Sequence, residues 1–171
     1  MANMIPISTV TVGSGGTSSI NFTNIPQTYT DLVIKISGRT DRASTYDYIK
    51  LKFNGSATSY SERELYGNGG VAQSETNNST TYGFGWILDA ALATSSTFSN
   101  VDIYIPNYGS SNYKSYSIDG VQENNATTAL TAIVAGLWSN TSPITNISME
   151  SHVASNILQY SSATLYGIRK Y

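Results

Sequence analysis

Along most of this chain, apolar and polar side chains alternate at every second residue. Leu32, Ile34 and Ile36 share one side of their segment, and Lys35 lies on the other. Residues 48–53 repeat the pattern, with apolar side chains at every second position. Because successive side chains of a β-strand point to opposite faces, this period predicts half-buried strands. No sustained helical period competes with it, so we predict an all-β chain.

The same signal recurs between turns that are rich in Gly, Asn, Ser and Thr. The predicted strands are residues 5–12, 18–22, 31–37, 48–53, 59–66, 80–88, 100–105, 113–121, 129–138, 144–151 and 157–168. About ten to eleven short strands at this spacing are typical of a sandwich or barrel. A single open sheet of that width would leave an apolar face in water. We therefore predict an antiparallel, jelly-roll-like β-sandwich.

Three connections between the predicted strands differ from the rest. Asn54 and Gly55 are expected to form a hairpin turn with positive φ. Residues 67–78 are mostly polar and are predicted to be a long loop, and residues 89–97 are rich in Ala and compatible with one helical turn. No repeat or proline-rich linker divides the chain, so residues 1–171 are predicted to form a single domain.

The low charge content argues against several classes of partner. Charged residues make up 12% of the chain, the net charge is -2, and no basic run is longer than Arg169-Lys170. Nucleic-acid binding depends on many Lys and Arg contacts to phosphates, so we predict no nucleic-acid partner. No segment reaches the roughly 18 apolar residues of a membrane span, and no signal-peptide pattern is visible. We therefore expect that the protein does not associate with membranes. We also expect that it is synthesised in the cytoplasm.

Histidine and cysteine offer little for catalysis or metal binding. The chain has no cysteine, and its one histidine is His152. We expect His152 to be a surface residue at the end of a strand, because a zinc site or a histidine-dependent mechanism would need further ligands or partners.

The acidic residues are also arranged without an evident catalytic pattern. Glu62 and Glu64 flank Arg63, so the two acids share one face of a predicted strand. We interpret this face as solvated rather than as the carboxylate pair of a glycosidase. The aspartates near residues 31–47 lack the spacing of a calcium loop. We predict that the protein is not an enzyme and binds no metal and no cofactor.

The 13 tyrosines are more informative, because rings with a polar handle are favoured at interfaces. Tyr104, Tyr108, Tyr113 and Tyr116 flank the loop of residues 107–112 and are candidates for a contact surface. The alternative is that they are ordinary strand tyrosines. Both interpretations stay open at the level of sequence.

The two tryptophans, Trp86 and Trp138, fit a hydrophobic core better than an exposed site. Aromatic rings of this kind also stack on sugars. They are therefore the candidate glycan-binding residues if the protein recognises a carbohydrate.

Several segments together resemble a known group of proteins. They are ISTVTVGSGG (7–16), NIPQTYTDLV (24–33), FNGS (53–56), IYIPNY (103–108), ENNAT (123–127), GLWSN (136–140) and QYSSATLYGI (159–168). The chain resembles small virion structural proteins of tailed bacteriophages. The resemblance implies a component of the phage particle and carries no catalytic residues onto this sequence.

Within that group, the expected role is that of a capsid decoration, or cement, protein on the exterior of the virion. Such a protein binds the major capsid protein and stabilises the shell, most simply as a symmetric trimer. The alternative is a tail or fibre module that binds a host-surface glycan. We expect interface contacts from the Tyr104 to Tyr116 segment, from the loop that contains Asn68, and from N-terminal residues 1–6, including Met4 and Ile5.

Overall fold

The computed structural model describes residues 3–126 and 129–169, and it leaves the side chain of Ser79 undescribed. Met1 and Ala2, which belong to the N-terminal segment predicted to make contacts, lie outside this range. The described residues form twelve strands: β1 (Asn3–Thr11), β2 (Ser19–Phe22), β3 (Asp31–Gly38), β4 (Tyr46–Phe53), β5 (Tyr60–Gly67), β6 (Ala72–Thr80), β7 (Gly83–Asp89), β8 (Ser99–Ile105), β9 (Lys114–Gln122), β10 (Leu130–Trp138), β11 (Ile147–Ser151) and β12 (Ser162–Arg169).

The twelve strands form two antiparallel sheets of unequal width. The large sheet has eight strands in the order β1-β12-β3-β8-β9-β10-β5-β6, and the small sheet has four in the order β2-β11-β4-β7. No helix occurs in the described part of the chain. The predicted all-β, antiparallel, jelly-roll-like sandwich is confirmed, with one strand more than the eleven predicted segments.

The core lies between the inner faces of the two sheets. In the large sheet, neighbouring strands place five buried aliphatic side chains in one cross-strand row, which is Leu165, Ile34, Ile103, Ile118 and Val134. From the small sheet, Ile49, Leu51 and Phe53 of β4 are buried in the same cluster. The inward faces predicted from the period-two pattern at β3 and β4 are therefore correct.

Most of strand β6 lies inside the segment, residues 67–78, that was predicted to be a polar loop. It pairs with β5 over its whole length, with Glu75 opposite Glu64 and Gln73 opposite Tyr66. Its sequence, AQSETNNST, has no apolar alternation. The strand was missed because ladder pairing with β5, rather than burial of an apolar face, defines it.

Two further connections differ from expectation. Asn54 and Gly55 do adopt positive φ, of 52° and 68°, and the turn closes with Ser56 N–H donating to the Phe53 carbonyl at 2.9 Å. This turn does not join a hairpin, because β4 and β5 belong to different sheets. Residues 90–97 form hydrogen-bonded turns rather than a helical turn.

Candidate functional site

The difference in width between the sheets creates a cleft at one edge of the sandwich. The last strand of the small sheet, β7, packs across the inner face of the large sheet from β8 to β5. The large sheet continues by one more strand, β6. The inner face of the β5–β6 hairpin therefore overhangs the edge of the small sheet, and we call the space beneath it the overhang cleft.

The overhang cleft is lined by carboxylates from the hairpin. Glu62 and Glu64 of β5 point inward and are mostly buried, and Arg63 between them faces outward. Glu75 of β6 lies opposite Glu64, and Asn77 lies opposite Glu62. The interpretation of Glu62 and Glu64 as a solvated face was wrong, because the second sheet and the β6 strand enclose that side of β5.

The three carboxylates differ in their partners. Glu62 Oε2 accepts a hydrogen bond from the Phe84 backbone N–H at 2.8 Å, and Glu75 Oε1 accepts one from the Tyr66 hydroxyl at 3.0 Å. Glu64 keeps only 8% of its surface exposed. Among the described residues, no hydrogen bond or ion pair reaches the Glu64 carboxylate. Its carboxylate is therefore hydrated only through the cleft, and this partial desolvation disfavours the charged form.

Burial and mutual repulsion change the acidity of these groups. Desolvation, followed by the charges of Glu75 and Glu62, raises the pKa of Glu64 to about 7. Desolvation also raises the pKa of Glu62, and hydrogen bonds from the Phe84 backbone and the Asn77 side chain oppose that rise. The cleft therefore holds a carboxyl group that changes charge near neutral pH.

Aromatic side chains form the opposite wall of the cleft. The Tyr48 ring lies 5.3 Å from the Phe84 ring. At the rim, the Tyr82 hydroxyl is hydrogen-bonded to His152 Nδ1 at 2.9 Å, and the Lys50 ammonium lies 5.6 Å from the centre of the Tyr82 ring. His152 is exposed just after β11, as expected. Rings and carboxylates thus face each other across a narrow gap.

The overhang cleft consists of two adjoining hollows of about 240 and 230 Å³. Both are lined by Tyr48, Glu64 and Glu75. The first extends toward Tyr82 and His152, and the second toward Tyr46 and Tyr66. In the described residues, no group of three or more His, Asp or Glu side chains is arranged to hold a metal ion.

A second surface lies on the outer face of the large sheet, where large apolar side chains are exposed. Ile133 of β10 is 60% exposed and pairs with Leu65 of β5, which is 57% exposed. Beside them, Met4, Val33, Tyr104 and Ile133 line a shallow depression of about 450 Å³. We call this depression the outer groove. An exposed ion pair between Lys35 and Asp102 lies in its floor.

The structure divides the four candidate interface tyrosines into two pairs. Tyr104 and Tyr113 are exposed, and the Tyr104 hydroxyl donates to Asp31 Oδ2 at 2.9 Å. Tyr108 and Tyr116 are buried in the core, where the Tyr108 hydroxyl donates to the Pro26 carbonyl. The prediction of Tyr108 and Tyr116 as contact residues is corrected. Strand alternation in β9 turns the Tyr116 ring inward, whereas Tyr108 is buried in the turn between β8 and β9, where its hydroxyl reaches Pro26.

The remaining interface candidates lie in different places. Met4 is exposed and shares the outer groove with Tyr104, whereas Ile5 is half-buried on the same strand. Asn68 is exposed in the β5–β6 turn, where its Oδ1 accepts from the backbone N–H groups of Gly70 and Val71. Its side chain stabilises that turn and lines the second hollow of the cleft.

The two candidate glycan-binding tryptophans are both in the core. Trp86 is fully buried with a positive φ of 86°, beside the bulge where β7 pairs with β4. Its indole packs against Gly120, where a Cβ would lie 2.2 Å from the ring. Trp138 is buried beside Phe53 and Tyr60. Neither ring can stack on a sugar at the surface.

The overhang cleft was not predicted from the sequence, although one signal was visible. The period-two pattern places Glu62, Glu64 and Tyr66 on one face of the strand and Ser61, Arg63 and Leu65 on the other. The sequence therefore indicated that one face is acidic. The pairing with Glu75 was not readable, because β6 itself was not recognised.

Comparisons with known proteins add a likeness in fold. Protein-family models and curated proteins gave no match. Among solved structures, the chain is similar to galectin LEC-6 from Caenorhabditis elegans, with 8% sequence identity and a TM-score of 0.36. The alignment covers 95% of this chain and 96% of that one. Within the described residues, no helix is long and apolar enough to cross a membrane.

Proposed function

We propose that this protein is a structural component of a tailed-phage particle and that it works by binding, not by catalysis. Its proposed place in the particle is the exterior of the capsid, as a decoration protein that binds the major capsid protein and stabilises the shell. The proposal combines the sequence resemblance with one observation, which is the exposed apolar surface on the outer face of the large sheet.

That surface has the features of a protein-binding patch. Ile133 and Leu65 form a directly opposed pair, and Val121, Tyr104 and Met4 are also exposed on this side of the molecule. Exposed apolar patches of this kind often mark interaction sites on soluble proteins. The one ion pair in the outer groove is solvent-exposed, so binding there would depend only weakly on salt.

The test is to remove the protein from the particle and then restore it. Particles that lack it should release their genome at a lower temperature than complete particles, and added wild-type protein should restore the higher temperature. Ile133→Asp should bind the depleted particles much more weakly, because it places an unpaired charge in the apolar patch.

A matched control separates the patch from a general effect of charge. Asn21 is exposed on the outer face of the small sheet, between the buried residues Ile20 and Phe22, whereas the patch lies on the outer face of the other sheet. Asn21→Asp adds the same charge and should bind like the wild type. Equal heat stability of depleted and complete particles would contradict the decoration role.

The alternative is a tail or fibre module that binds a host glycan. It has less support, because the two tryptophans proposed to stack on sugar are buried in the core. Labelling of the native particle distinguishes the two locations. Label on the shell supports decoration, and label confined to the tail tip would overturn it.

A further inference from the structure

We propose that the overhang cleft binds an organic cation the size of a lysine or arginine side chain, held between the Glu64 carboxylate and the aromatic wall of Tyr48 and Phe84. The cation is an alkylammonium or guanidinium group, carried by a partner protein or by a free amine. This inference does not rest on the proposed role in the phage particle.

The first argument is the charge balance of the cleft. Glu62, Glu64 and Glu75 converge on it from two paired strands. The described cations nearby are used elsewhere: Lys50 and Lys52 pair with Glu150, and the Arg63 guanidinium hydrogen-bonds to the Glu62 carbonyl and to Asn78. Three carboxylates therefore share one cleft with no described cation among them, and an entering cation would relieve their repulsion.

The second argument is the state of Glu64 itself. Its side chain is more than nine-tenths buried and lines both hollows of the cleft, yet no described residue donates to it. The carboxylate therefore depends on whatever occupies the cleft for its hydrogen bonds. A bound ammonium or guanidinium would supply charge-assisted hydrogen bonds of the kind that Glu64 lacks.

The third argument is the shape and lining of the space. A hollow of about 240 Å³ accommodates one basic side chain or a small amine. Tyr48 and Phe84 line the same hollow as the carboxylates, and aromatic rings attract cations that have been removed from water. Lys50 over the Tyr82 ring shows the same contact already formed at the rim.

A neutral polyhydroxylated ligand fits these observations less well. Its hydroxyl groups could donate to the carboxylates, but they would leave the repulsion between Glu62, Glu64 and Glu75 uncompensated. A metal ion is also a poorer fit, because the described carboxylates do not form a metal-binding group.

The experiment is a titration of the whole protein, followed by ¹H–¹⁵N NMR and calorimetry. The probes are N-acetyl-lysine methylamide, N-acetyl-arginine methylamide and the neutral isostere N-acetyl-norleucine methylamide. We expect the two cations to shift the amides of β5, β6 and β7, with affinities at least about tenfold above that of the neutral probe. Equal binding of all three probes would overturn the proposal, as would no shift at all.

The affinity should also depend on pH, because the cation binds the ionised form of Glu64. The titratable and charged groups around Glu64 are Glu62 and Tyr66 on β5, Glu75 on β6, Tyr46, Tyr48 and Lys50 on β4, and Tyr82 and His152 at the rim. With a Glu64 pKa of about 7, affinity should rise about 30-fold between about pH 5.5 and pH 8.5. Binding that is independent of pH would contradict the role of Glu64.

Three variants test whether the cations bind in the overhang cleft. Glu64→Gln keeps the shape of the side chain and should abolish both the binding and its pH dependence. Glu75→Gln changes an exposed residue that poses little risk to folding, and it should weaken binding several-fold. Glu123→Gln removes one negative charge from an exposed position outside the cleft, and it should bind like the wild type. Unchanged binding by Glu64→Gln would sink the proposal.

The last arm identifies the source of the cation and excludes other ligands. Putrescine that binds as tightly as the amino-acid probes indicates a free amine, whereas binding restricted to peptides with one Lys or Arg indicates a partner protein. Tighter binding of calcium chloride or of neutral monosaccharides than of the cations would overturn the assignment.

Discussion

Two ends of the same cross-strand row in the large sheet have opposite chemistry. From β12 to β10 the row consists of buried aliphatic side chains, with Ile34 and Ile103 near its middle. One strand further, at β5, the same row continues with Glu64, and at β6 with Glu75. The backbone pairing is continuous across this change. What changes is the second layer over the row, because the small sheet ends at β7.

This difference shows that a position on the inner face of a sheet is not in itself a core position. A side chain becomes part of the core where a second layer removes it from water on all sides. Where the second layer stops, the same face can carry carboxylates, and partial enclosure then changes their acidity. The predictions below test how sharp this boundary is, in order of decreasing expected effect.

The largest effect is expected at the covered end of the row. Ile34→Ala should lower the free energy of unfolding by about 2 to 5 kcal/mol, because it removes buried methyl groups and leaves a cavity in a packed core. Urea denaturation monitored by tryptophan fluorescence measures the loss. A loss below about 1 kcal/mol would mean that the row is loosely packed.

At the acidic end of the row, the stability should depend on pH. The folded-state pKa of Glu64 is raised from 4.5 to about 7, so the folded state favours the protonated carboxyl. Its contribution is therefore fully present below about pH 4.5 and is lost as the pH rises through about 7. The wild type should lose on the order of 3 kcal/mol between these limits from this residue.

Glu64→Gln isolates this contribution. The variant should be more stable than the wild type at about pH 8.5 and similar to it at about pH 5, when both are measured by urea denaturation. Glu62, whose pKa is also raised by burial, leaves a dependence of the same sign in the variant. Parallel pH profiles for the variant and the wild type would contradict the assignment.

The next largest loss of stability is expected where an aromatic ring packs directly onto a glycine in the core. A Cβ at Gly136 would lie 2.0 Å from the Tyr116 ring, so Gly136→Ala should destabilise the protein by about 1 to 3 kcal/mol through overpacking. Gly67→Ala is the control, because at Gly67 the nearest atom to an added Cβ is 4.0 Å away. Similar thermal unfolding of both variants would show that Tyr116 moves aside at little cost.

Much of the fold could be predicted from the sequence, for a physical reason. Alternation identifies a strand when one of its faces is buried and the other exposed, as in β3, β4 and β9. Strand β6 lacks this signal, because it has polar residues on both sides and is specified by its partner β5. Long-range pairing of that kind leaves no local signal.

The candidate site was harder to predict, because it depends on relations between strands. Glu62 and Glu64 were correctly placed on one face, but the cover over that face comes from β6 and from the edge of a different sheet. The inward rotation of Trp86 follows a bulge, and the space for its ring comes from Gly120 on another strand. These features become visible only when the sheet order is known.

The smallest effect on stability is expected on the opposite face of the same strands. Ile133 is directly adjacent to Val134, which belongs to the buried row, yet its side chain points outward and is 60% exposed. Ile133→Ser should therefore change the free energy of unfolding by no more than about 0.5 kcal/mol, whereas Val134→Ser should cost several times as much. Urea denaturation of both variants makes the comparison at neighbouring positions of one strand. If Ile133→Ser proved as destabilising as Val134→Ser, the outer face would be a packed surface within the monomer, and the proposed binding patch would lose its main support.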